Sequence, residues 1–170
     1  MLRRMAFLLI GVALATPAIA EDAVAPVLSD LLNECPQVPD ATAVLVALQR
    51  EHRIGRPAGT PTDDEGCWRV RPAITISSMK FQYICVQNAA LADLLPDLYF
   101  SSPGMHDGVN VRILTTTPIE EVWHWAVQNL SVPFNKIDHR IAPDPGYYPL
   151  PEHNKLTEIR CDEVWDHSAD

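Results

Sequence analysis

Ser101, Ser102, His106 and Asp107 gather in one short stretch the residue types of an acyl-transfer site: a hydroxyl nucleophile, an imidazole base and an orienting carboxylate. Their spacing argues against that chemistry. The Gly-x-Ser-x-Gly motif is absent, and adjacent His and Asp side chains do not readily take the geometry a triad requires. A turn is the better reading of the stretch, with His106 kept as a candidate binding residue. Asp138-His139 is a similar pair. These pairs define one functional alternative, a small exported hydrolase using His106 or His139 with a nearby carboxylate.

Metal chemistry finds less support. His52, His106, His124, His139, His153 and His167 form no H-x-H or H-E-x-x-H motif. The acidic C-terminal cluster of Asp162, Glu163 and Asp166 lacks the alternating ligands and central glycine of a calcium loop. With no Gly-rich phosphate cradle either, neither a metal nor a cofactor is expected.

Aromatic residues suggest recognition instead. At about 100° per residue, Trp125 falls away from the apolar stripe of its own helix pattern, Ile119, Val122, Trp123, Ala126, Val127 and Leu130. An indole so placed is either covered by another element or offered to a partner, since Trp and Tyr are enriched in binding hot spots. The Pro-rich stretch 143–151 could be that cover, and it carries Tyr147 and Tyr148 as further binding candidates. Long stretches without regular structure are uncommon in compact domains and are often functional.

Cys35, Cys67, Cys85 and Cys161 are an even set with no C-x-x-C spacing, which reads as two structural disulfides rather than a redox centre. The pairing expected from strand facing is Cys35–Cys67 with Cys85–Cys161.

The elements that must position these residues begin with a removable leader. MLRR, an apolar run from Met5 to Ala15, and Ala18-Ile19-Ala20 have the form of a secretory signal over residues 1–20 with an A-x-A cut. The run is too short for a membrane span, which takes roughly 20 apolar residues. Residues 21–170 are then one globular domain. Loss of Arg3 and Arg4 leaves 11 Lys+Arg against 22 Asp+Glu, a net charge of −11. That field disfavours nucleic acid and anionic membrane, and suits a protein partner with a basic surface.

Apolar periodicity predicts a helix over 24–35 and a second from Asp40 to about Arg53, with His52 on its apolar face. Period-two alternation predicts a hairpin from Cys67 to Gln87 around Ser77-Ser78, with Phe81, Tyr83 and Cys85 on one face and Pro72 marking an edge or a bulge. A short helix over 89–98, a strand over 109–116, a helix opened by Pro118 and a strand from Leu156 to about Trp165 complete the chain. Residues 131–155 read as irregular. The expected fold is α+β: two N-terminal helices, then a β-β-α-β-α-β layered domain of about four strands. The expected function is that of a non-enzymatic interaction protein in the periplasm or a secreted fluid, such as an inhibitor, accessory subunit or assembly factor.

Overall fold

The computed structural model describes residues 22–35, 40–55, 65–88, 91–96, 98, 109–131, 141–143, 150 and 155–162. They form α1 (Ala25–Glu34), α2 (Thr42–Arg50), β1 (Glu65–Ile76), β2 (Met79–Gln87), α3 (Leu91–Leu94), β3 (Asn110–Thr115), α4 (Ile119–Asn129), β4 (Ile141–Pro143) and β5 (Thr157–Asp162). The fold is mixed α+β with two disulfides. Five strands, rather than about four, make one antiparallel sheet in the order β1-β2-β3-β5-β4. The additional strand, β4, lies inside the stretch read as irregular. Its three residues, ending in a proline, are too few to carry a readable alternation.

The first two helices start where their polar caps allow. Asp22 accepts the Val24 N–H ahead of α1, and Asp40 accepts the Thr42 N–H at 2.8 Å at the start of α2. Leu28, Leu31 and Leu32 of α1 and Val44, Leu45 and Leu48 of α2 enter a large core against one face of the sheet. Trp68, Ile84, Val86, Val111, Ile113 and Ile159 meet them there. β3 lies centrally and is buried at every residue, so even Asn110 and Arg112 are shielded.

The opposite face carries a smaller cluster of Cys67, Tyr83, Cys85, Leu114, Leu150 and Leu156. Next to it an Arg112–Glu158 ion pair spans β3 and β5 at 3.3 Å, with both side chains buried. The Arg69 guanidinium stacks 5.9 Å from the centroid of the Tyr83 ring. Gly66 is favoured at its position, because a Cβ there would press into the ring of the fully buried Trp68 indole.

β1 is both an edge strand and bulged, and the bulge decides the cysteine pairing. From the turn, Ile76 faces Met79 and Ile74 faces Phe81; the register then shifts between Arg69 and Ile74, around Pro72. An unshifted register would place Val70 opposite Cys85. The residues taken up by the bulge bring Cys67 there instead, with the two Cα atoms 4.0 Å apart. The disulfides are therefore Cys67–Cys85 and Cys35–Cys161, correcting the expected pairing. Cys85 belongs to the second face, out of reach of Cys161, which joins Cys35 in the helix-side core. The same irregularity separates Phe81, in the helix-side core, from Tyr83 and Cys85, so the three do not share one environment.

Candidate functional site

The site is built from the way α2 ends. The His52 N–H bonds to Gln49 O and the Arg53 N–H to Leu48 O, both at 2.9 Å, the paired bonds of a Schellman cap. His52 fills the left-handed position usually held by glycine, with φ 55°, and is exposed. It is thus outside the helix, not on its apolar face. Reversal of the chain at His52 turns Arg53 back into the protein, where only 6% of its side chain remains exposed.

There the guanidinium joins three segments. It grips Asp22 with both terminal nitrogens, Nη1 to Oδ1 at 2.5 Å and Nη2 to Oδ2 at 3.0 Å. Nε and Nη2 donate to Pro72 O, at 3.1 and 2.9 Å, and Nη1 also donates to Glu51 Oε2 at 3.3 Å. Asp22 in turn accepts the Val24 and Thr75 N–H groups, each at 3.1 Å. Arg71 N–H completes the tie by donating to Arg53 O at 2.8 Å. A single pair of side chains thereby fastens the start of α1 and the end of α2 to the β1 bulge. It also occupies backbone groups that an edge strand would otherwise present to solvent.

Burial alone would push the Asp22 carboxyl up, but the Arg53 hydrogen bond, the Thr75 and Val24 N–H groups and the Arg53 charge hold it below its ordinary value. For Arg53, burial opposes the charge, and the Asp22 and Glu51 carboxylates more than restore it.

Beside this pair, between the first turns of α1 and the β1 edge, lies a groove of about 1260 Å³. Asp22, Arg53 and Pro72 line it, and Asp30, Glu51 and Thr75 supply further polar groups. Among the described lining residues, Arg53 is the only cation, against three carboxylates.

Trp125 lies elsewhere, in the core. It is 5% exposed, its indole N–H donates to Ile76 O at 3.2 Å, and its ring meets Phe81 edge-on at 5.4 Å. Among the described residues, its cover is the β1–β2 hairpin. The buried face of α4 comprises Val122, Trp125 and Ala126, while Val127 is 44% exposed. Ile119, Trp123 and Leu130 of the apolar stripe also pack against the core, so the buried face keeps most of that stripe and widens to take in the larger Trp125 indole, leaving Val127 outside. Cys35, Cys67, Cys85 and Cys161 are all disulfide-bonded. His106, His139, Tyr147 and Tyr148 lie outside the described residues, as do the 1–20 leader and most of the 143–151 stretch.

Asp22, Asp30, Glu51 and Arg53 were not singled out by sequence reasoning. Asp22 has one legible signal, an acidic residue just ahead of a helix, which suits a cap. Its partner lies 31 residues away, and nothing in local periodicity links the two. Among the described residues, no group of three or more His, Cys, Asp or Glu could hold a metal ion, and no helix is long and apolar enough to cross a membrane. Comparison of the chain with protein-family models, curated proteins and solved structures finds no match.

Proposed function

We propose that this chain is an exported interaction protein, an inhibitor, accessory subunit or assembly factor of the periplasm or a secreted fluid, and that it meets its protein partner at the α1–β1 groove. The groove carries this reading. Small-molecule sites usually enclose about 300–1,000 Å³, and this groove, at about 1260 Å³, exceeds that range. Part of its lining is fixed by the Asp22–Arg53 pair, so less ordering is needed on binding, which favours affinity. The A-x-A leader and two disulfides agree with maturation in an oxidising compartment.

The test is affinity capture from the native extract with the mature protein, followed by reconstitution with each captured protein in purified form. A partner that forms a stoichiometric complex on reconstitution supports the reading. A mature protein that reconstitutes with nothing, yet turns over ester or peptide substrates, replaces it with the hydrolase alternative.

A further inference from the structure

We infer that the α1–β1 groove receives a basic segment of the partner, a stretch bearing Lys or Arg, with Asp30 and Glu51 making its charged contacts. This rests on the interaction reading above and names the chemistry of the occupant. It follows from which hydrogen-bonding groups the groove has already used.

A guanidinium offers five N–H donors and no acceptor. Arg53 makes five contacts, two with Asp22, two with Pro72 O and one with Glu51. An anionic ligand would have to displace one of these, so the only cation among the described lining residues is not a free anion site. Asp22 is likewise saturated: each of its two oxygens accepts one Arg53 donor and one backbone N–H.

What remains is acceptor capacity. Among the described residues, the Glu51 carboxylate bonds only through Oε2, and the Asp30 side chain makes no hydrogen bond or ion pair. The main chain adds to this. In an antiparallel strand a residue's N–H and C=O point to the same side. The Thr75 N–H points away from β2 toward Asp22, so its carbonyl also faces the groove. An acceptor-rich groove selects a donor-rich, positively charged occupant. The formal charge of −9 for the whole chain would steer the same partner inward.

The edge also limits how the segment lies. With the Thr75 N–H held by Asp22 and Pro72 O held by Arg53, an incoming chain cannot extend the sheet along β1. Recognition is therefore through side chains.

The experiment measures fluorescence anisotropy of labelled eight-residue peptides on the mature protein. One set has Lys or Arg at varied spacing, and a matched set has Glu in place of each cation. The expected result is binding of basic peptides only, weakened about five-fold by Asp30→Asn and by Glu51→Gln, as for losing about 1 kcal/mol of a charged contact. Glu120→Gln on α4 removes the same charge outside the groove lining and is expected to leave affinity unchanged. Circular dichroism checks that every variant keeps its fold.

No preference for basic over acidic peptides overturns the inference, as does an equal loss in Glu120→Gln, which would mean attraction by the overall field. If a reconstituted partner binds wild type and Asp30→Asn alike, the inference falls while the interaction reading stands. If no partner reconstitutes at all, that reading falls, whatever the peptides do.

Discussion

Replacing Arg53 with methionine removes the side chain that joins the start of α1, the end of α2 and the β1 bulge while keeping much of its apolar stem. Truncating one member of a buried, hydrogen-bonded ion pair costs about 3–5 kcal/mol, because the partner charge is left without compensation. Asp22 keeps 18% of its side chain exposed and retains the Val24 and Thr75 N–H groups, so some rehydration is open to it. The expected loss is therefore near the lower end, about 3 kcal/mol. Asp22→Asn preserves shape and should cost about 2 kcal/mol, since hydrogen bonds to charged groups contribute about 1.5–3 kcal/mol each. In the double variant the losses should fall short of additivity by about 1–2 kcal/mol. Urea unfolding at neutral pH, without reductant, reads this directly. With a slope of about 2 kcal/mol/M, Arg53→Met should lower the midpoint by about 1.5 M. Because Asp22 titrates below its ordinary value in the folded protein, its contribution is complete above the unfolded carboxyl pKa of 3.8 and is lost as pH falls through the lower folded value. The gap between wild type and Asp22→Asn should thus be full at pH 7 and shrink in strong acid. A midpoint change under about 0.3 M for Arg53→Met would place the pair among weak surface contacts and refute the claim that it fastens α1 and α2 to the β1 bulge.

Three other perturbations probe the frame. Gly66→Ala should destabilise the protein by about 1–3 kcal/mol in the same urea assay, because its methyl group meets the buried Trp68 ring. His52→Gly should raise stability by about 1 kcal/mol, a melting-temperature gain of about 2–4 °C, since glycine adopts the left-handed C′ conformation without steric cost. Peptide mapping without reduction should recover Cys35–Cys161 and Cys67–Cys85. Paired Cys→Ser variants should lose more stability at the first bridge, which closes a 126-residue separation, than at the second, which closes 18. Loop entropy alone makes the difference about 1–2 kcal/mol.

Elements with strong local signals were legible in the sequence. The apolar faces of α1 and α2, the hairpin around Ser77-Ser78 and the Pro118 opening of α4 each depend on residues within a few positions of one another. Pro72 also announced an edge or bulge, and β1 is both. What could not be read was the length of the bulge, and the disulfide pairing turned on it, because a register shift changes which residue faces Cys85. On α4 the apolar stripe is legible except at its edge: counting apolar positions weights Val127 like Trp125, whereas burial follows side-chain size and available cover. His52 concealed the end of α2, since a left-handed cap is normally marked by glycine. The groove was the least legible feature, as it depends on Asp22 meeting Arg53 and on both meeting Pro72.

The cross-links also explain how this groove holds its shape in a protein whose helices lie on one side of the sheet. Cys35, just after α1, is tied to Cys161 in β5, which fixes the far end of the helix across the core. Asp22, just before α1, is tied through Arg53 to the β1 edge, which fixes the near end. α1 is thus anchored at both termini to strands on opposite sides of the sheet centre, while Leu28, Leu31 and Leu32 fill the space between. The second disulfide acts separately, locking β1 to β2 beyond the bulge so that the register placing Pro72 and Thr75 at the groove cannot slide. One wall is therefore held by a helix with two anchors and the other by a strand with a covalent register. A groove framed this way keeps its backbone and the Asp22–Arg53 pair in position before any partner arrives, which is the preorganisation that the proposed capture of a basic segment calls on.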